Sequence, residues 1–305
     1  MSSHPPPEPA ATPVRPGTAS TRGDRILPYT RVVSAIIIPF LVVASVLLYI
    51  LPGRTDELFA WTIVPPITAM LLGCAYIGGI WFFAACLRLR RWHAVGWGFP
   101  AVFVFASLLA ISTFLHWDRF HFGHISFIVW VTLYVTTPVL VLVAFILNRP
   151  QDPGTPDARD YTIPRWLRGL LAVVGLIATV TGVVLFVAPQ LAIDIWAWEL
   201  TPLTARVAGA ILTLPGVVNA WLFVDSRWSA FRSVVQAELI SLVFIVASLI
   251  IRWNDLLWDR PSAPLFFGGI VVSLLAYAAF YVYCERRLAA AGRPQGPRDQ
   301  QGLEQ

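Results

Sequence analysis

The chain has no lysine, so all 22 of its basic residues are arginine, and only 13% of its residues are charged. Soluble domains carry about twice that charge, which excludes an ordinary soluble globular protein. The missing lysine points to a GC-rich coding sequence and, through it, to a bacterium. Cysteine is sparse as well. Cys74, Cys86 and Cys284 fall inside or at the end of apolar segments and lack the paired spacing of a zinc site. They read as small packing residues, not as a disulfide framework. No barrel-type alternation of polar and apolar residues is present, which excludes a transmembrane β-barrel. Also missing are an HExxH pair, a nucleophile elbow, a phosphate-cradling glycine loop and paired aspartates inside an apolar run. The familiar enzyme signatures are therefore absent, the balance leans away from an enzyme, and no cofactor is implied.

What the chain does have is apolar length. It is 57% hydrophobic, with a mean hydropathy of +0.69. Eight runs reach the length of about 20 residues that a helix needs to cross a hydrocarbon core of about 30 Å. They cover roughly 32–51, 63–86, 97–116, 125–147, 167–188, 203–224, 233–251 and 263–284. The expected fold is an all-α integral membrane protein, since a lipid-exposed backbone must satisfy its hydrogen bonds within each helix. Residues 1–28, rich in proline, and 289–305 read as disordered tails, and the first run reads as an uncleaved signal anchor.

Arginine sets the orientation. Seventeen arginines lie in the tails and even-numbered loops; the opposite face has four, Arg54, Arg119, Arg252 and Arg260, against seven acids. By the positive-inside rule the arginine-rich face and both termini are cytoplasmic, in the bacterial inner membrane. The net charge of +5 then reflects topology and not nucleic-acid binding. Most tryptophans stand at run ends and read as anchors in aromatic belts, Trp61, Trp117, Trp196, Trp198, Trp253 and Trp258 outside and Trp92, Trp97, Trp166, Trp221 and Trp228 inside.

The runs repeat. Phe59, Ala60 and Trp61 match Trp196, Ala197 and Trp198, while Pro66, Thr68, Ala69 and Gly73 match Pro202, Thr204, Ala205 and Gly209, offsets of 136 or 137 residues. Two parallel four-helix repeats are expected, 29–148 and 166–288, joined by a proline-rich cytoplasmic linker at 149–165.

Four kinds of residue are candidates for chemistry. Gly78 and Gly79, and Pro215 and Gly216, stand at matching places in two runs and could kink or unwind them as hinges. Arg206 lies a turn inside a run that starts with Thr201 and Pro202, with Glu199 or Asp194 as its expected partners; Met70 holds its place in the first half. Glu238 is the one carboxylate inside a run, with Gln236 and Asn219 as expected partners, either as a polar clasp or as a proton or substrate relay. His116, Asp118, His121 and His124 make a weak candidate for an outward metal site, most simply read as solvated loop residues. Together these give a transporter-like or small-molecule or lipid-handling protein with its site between the repeats. The alternatives are a membrane scaffold or partner-binding subunit, and a membrane enzyme built on the histidine loop. The expected partners are the bilayer, a small molecule or lipid, and another membrane protein or a second copy.

Overall fold

The computed structural model describes residues 23–156 and 160–291. Most of both expected tails, 1–22 and 292–305, lies outside the described residues. Ten α-helices follow one another there: α1 (Pro28–Ser45), α2 (Thr55–Leu58), α3 (Pro66–Arg88), α4 (Gly98–Leu115), α5 (Ile125–Asn148), α6 (Arg165–Val187), α7 (Pro189–Ile193), α8 (Pro202–Trp221), α9 (Trp228–Ile251) and α10 (Ser262–Ala291). All but α2 and α7 are long and apolar enough to cross a membrane. Their bounds follow the eight apolar runs within a few residues, except that α1 gives way at Val46–Ile50 to a π-helical turn, α9 starts five residues early and α10 runs on to Ala291. Among the described residues there is no strand, only an isolated bridge between Thr162 and Arg227.

The helix starts follow local chemistry. At α8 the Thr201 hydroxyl accepts from the Thr204 backbone N–H at 3.2 Å, the Thr204 hydroxyl accepts from the Thr201 N–H at 2.8 Å, and Pro202 occupies the first turn. The ends of α3 and its matching helix α8 are closed by arginine. Arg31 donates to the carbonyls of Leu87 and Leu89, both at 2.7 Å, and Arg168 donates to that of Leu222 at 2.9 Å. Cations suit these positions because the last carbonyls of a helix lack partners and carry its negative dipole end. Two of the arginines that set the charge asymmetry thus also cap helices.

Helices pair as α1 with α3, α4 with α5, α6 with α8, and α9 with α10. The two sets of four then join crosswise, α3 against α9 and α4 against α8. Glycine permits the closest approaches: a Cβ on Gly209 would stand 2.5 Å from the Gly182 carbonyl oxygen, and one on Gly78 would stand 2.8 Å from that of Ala237. Such contacts suit helices in lipid, where dispersion from close packing replaces the hydrophobic drive.

Equivalent contacts recur about 136 residues apart. His121 N–H donates to the Ala60 carbonyl at 2.9 Å, as Leu257 N–H does to that of Ala197 at 2.9 Å. Asp24 takes the backbone N–H and ring of His93, as Asp160 takes the N–H and hydroxyl of Ser229. Trp130 packs on Phe59 and Trp61, as Phe266 packs on Trp196 and Trp198.

Three expectations change. Most of the tryptophans expected in the belts are in the interior: Trp61, Trp92, Trp97, Trp196, Trp198 and Trp228 are buried, whereas Trp117, Trp166 and Trp253 are exposed. Their loops fold back over the helix ends, so the rings pack on one another at centroid distances such as 4.7 Å for Trp61 and Trp130, each pair adding about 1 kcal/mol beyond its buried area. The first tail ends earlier than residue 28, because Asp24 is held by His93 and Ile26 is buried. The linker 149–165 is built into the structure: Asp152 and Ile163 are buried, and Ile163 N–H donates to the Ser226 carbonyl at 2.8 Å.

Candidate functional site

A cavity of ≈ 730 Å³ lies at the centre of the eight long helices, and all eight contribute to its wall. Along α10 it reaches from Ser262 to Tyr277, about 22 Å at 1.5 Å per residue. The lining is overwhelmingly aliphatic and aromatic, and Glu238 is its one charged residue.

Glu238 projects from α9 into this space. The Tyr277 hydroxyl of α10 is its hydrogen-bonding neighbour. That hydroxyl in turn accepts from Asn219 Nδ2 at 2.7 Å, and Asn219 also donates to the Leu171 carbonyl at 2.8 Å. A relay therefore runs from α6 through α8 and α10 to α9. The second carboxylate oxygen, Oε2, is buried with no hydrogen-bond partner among the described residues, and the same holds for Thr137 Oγ1 and Ser262 Oγ, both in the cavity wall. An unsatisfied buried polar atom costs about 1–3 kcal/mol, and three of them belong to residues of this wall. On the far wall Tyr76 and Tyr134 satisfy each other at 2.5 Å.

The wall differs from side to side. Where α1 and α5 form it, the lining residues Ile37, Leu41, Tyr134 and Thr137 are buried, Ile37 to 3% exposure. That seam is tied: Asn148 of α5 accepts from Leu27 N–H at 2.9 Å and donates to Thr30, and the Tyr29 hydroxyl donates to the Leu140 carbonyl at 3.3 Å. Where α6 and α10 form it, Ile177, Leu265 and Val272 line the cavity and are 64%, 74% and 64% exposed. α6 and α10 do not pack along one another as α1 and α5 do. The cavity is thus closed on one flank and open on the other.

The structure places the remaining candidates as follows. Gln236 does not meet Glu238; it faces Tyr281 and Trp81, at 2.7 and 3.3 Å. Asn219 reaches Glu238 only through Tyr277. Gly78, Gly79 and Pro215 line the cavity, while Gly216 faces α6, where a Cβ would overlap Thr179. Both α3 and α8 run unbroken through these positions, and Gly78 and Gly216 stand at close helix contacts.

Arg206 pairs with neither Glu199 nor Asp194 among the described contacts. Its Nη1 donates to His116 Nε2 at 2.6 Å, joining α8 to the end of α4. Burial, and after it the Arg206 charge, lowers the His116 pKa below the usual histidine value, so a neutral ring accepts the bond. The other loop histidines are occupied elsewhere: His121 bonds the Phe59 carbonyl and Thr62, and His124 bonds Ser126. Asp118 lies on Arg119 at 3.2 Å. No group of three or more metal-ligating side chains converges among the described residues.

A second polar cluster closes the arginine-rich end. Arg227 is buried between Asp225 and Asp152, at 2.6 and 2.7 Å, and Asp225 also accepts from Trp97 Nε1 at 2.8 Å. Burial raises both carboxyl pKa values, but the hydrogen bonds and charge of Arg227 outweigh it and hold them below the usual range. Its three members are mutually satisfied, which marks it as structural.

Sequence reasoning missed Tyr277. A signal was there, since a tyrosine deep in an apolar run must find a partner for its hydroxyl. The fold defines an all-helical protein with eight helices fit to cross a membrane and one central cavity. No protein-family model, no curated protein and no solved structure matches the chain, and its function is argued from its own residues.

Proposed function

We propose that this is an eight-span inner-membrane protein, built as two parallel four-helix repeats with both termini cytoplasmic, that binds an apolar small molecule or lipid between the repeats, as a transporter or lipid-handling module does. The recurrence of equivalent contacts about 136 residues apart supports the repeats. Four helices in each copy imply a common direction of insertion, and so a pseudo-twofold axis along the membrane normal. The arginine-rich end, with its helix-capping Arg31 and Arg168, supports the orientation.

The observation that carries the reading is Glu238, the one charged side chain on the wall of a ≈ 730 Å³ apolar cavity. That volume is in the range of small-molecule sites, about 300–1,000 Å³. A carboxyl side chain inside an apolar span costs free energy to insert, and Tyr277 is its hydrogen-bonding neighbour. A role in packing alone leaves that cost without return, since glutamine would fill the same place.

The test is native mass spectrometry of the protein extracted in mild detergent, comparing wild type with Glu238→Gln. A co-purifying small molecule or lipid that is lost from the variant, with the melting temperature unchanged, supports the reading. Equal occupancy of the two, or an empty wild type that binds nothing from a lipid extract, overturns it.

A further inference from the structure

We infer that the seam between α6 and α10 is a lateral entrance from the bilayer, and that it admits a long-chain amphiphile whose head donates a hydrogen bond to Glu238. This rests on the cavity reading above and adds the route and the ligand chemistry.

The route follows from exposure. The cavity-lining residues that are exposed all lie on α6 and α10, at Ile177, Leu265, Gly269 and Val272. Ile177 lies twelve residues into α6 from Arg165, and Val272 ten residues into α10 from Ser262. At 1.5 Å per residue these are about 18 and 15 Å from opposite helix ends, and Leu265, three residues into α10, carries the gap to about 5 Å from the start of that helix, so it runs from near one end to mid-depth in a core of about 30 Å. Over most of that length it faces acyl chains. On α10, Gly269 stands on this rim, and a Cβ there would meet nothing within 4 Å. The matching seam of the first half is closed by Asn148 and Tyr29, so a second lateral route is absent among the described residues.

The ligand follows from the wall. A cavity extending about 22 Å along α10 is longer than one leaflet of the core, about 15 Å, and suits an extended chain. Glu238 is the one charged side chain on the wall, and Tyr277 is already engaged through Asn219. The complement is an apolar chain ending in a primary amine.

The test uses the full chain in phosphatidylcholine vesicles and two probes with the same diazirine-bearing alkyl chain, one ending in a primary amine and one in a methyl ether. Crosslinked peptides are mapped by mass spectrometry over time. The amine is expected to label cavity residues of α6 and α10 about tenfold more than the ether, a difference of about 1.4 kcal/mol, and Glu238→Gln is expected to remove that preference. Gly269→Trp, placed in open space, is expected to slow labelling about tenfold while leaving the end point unchanged. Equal labelling by amine and ether overturns the ligand chemistry. An unchanged rate in Gly269→Trp with Glu238→Gln still impaired leaves the cavity reading standing and overturns the lateral route. A lowered end point at unchanged rate does the same, because it shows a filled cavity and not a gate, as does a protein partner crosslinked along α10. Loss of all labelling in wild type overturns the cavity reading itself.

Discussion

The two flanks of the cavity are made from corresponding helices and behave differently. Between α1 and α5 a buried asparagine and a tyrosine bond across the seam, and the wall residues are sealed. Between α6 and α10 the helices do not pack along one another; the Tyr161 hydroxyl ahead of α6 donates to that of Tyr283 on α10 at 3.4 Å, and the wall residues Ile177, Leu265 and Val272 are exposed. The polar residues divide the same way: Asn219, Glu238 and Tyr277 all belong to the second set of helices, while Tyr76 and Tyr134 of the first satisfy each other. One set of four helices thus keeps its seam packed, while the other leaves wall residues exposed and carries the carboxylate of the cavity. An opening and a functional group then come to lie on the same side.

Three substitutions test that contrast. The largest effect is expected from Arg227→Leu, because the Arg227 cluster fixes the arginine-rich end for both sets of helices. Removing the cation strands Asp152 and Asp225 in the interior and should destabilise the protein by about 3–5 kcal/mol, read as a fall in melting temperature in detergent. It should loosen both seams and so erase the difference between them. The same cluster gives an acid dependence. Both carboxyl pKa values are held low in the folded protein, so their contribution is present above the unfolded value near 3.9 and is lost as pH falls through the folded one. A protein whose melting temperature holds steady from pH 5 to pH 2.5 would contradict this assignment.

A middle-sized effect is expected from Asn148→Ala. Leu27 N–H and the Thr30 hydroxyl lose their partner, at a cost of about 1–3 kcal/mol. The first seam should then resemble the second. Hydrogen exchange should rise at the start of α1 and the end of α5 and stay unchanged in α6 and α10; a uniform rise would mean that Asn148 does not act locally.

The smallest effect is expected from Arg206→Met, which gives the second half the residue that the first has at Met70. The bond to His116 is lost, and stability should change by about 1 kcal/mol or less, because a polar atom at the helix rim can turn to water. The clearer readout is pH. His116 has a lowered pKa, so it contributes stability above the unfolded value near 6.5 that is lost as pH falls through the folded value. Burial remains in the variant, so the drop in melting temperature between pH 7 and pH 5 should shrink without vanishing. An unchanged drop would show that Arg206 does not act on His116.

Much of this was legible in the sequence. Glu238 stood out because no other carboxylate lies in an apolar run, and Thr201 with Pro202 marked the start of α8. The same kind of reading misassigned Gln236, whose distance of two residues along a helix turns it to another face from Glu238. It also placed buried tryptophans at the headgroups, since hydropathy marks a helix end but not whether a loop folds back over it.

The sequence by itself determined the eight apolar helices and the charge asymmetry of their ends. These depend on apolar length, on residues within a turn of one another and on counting. Only the tertiary structure decided that α3 meets α9 while α4 meets α8, that Tyr277 reaches Glu238, and that one seam closes while its counterpart stands open. Those outcomes depend on how each helix is rotated about its axis and which neighbour fills its grooves, and partners such as Asn219 and Tyr277, 58 residues apart, are set by the packing of all the helices between them.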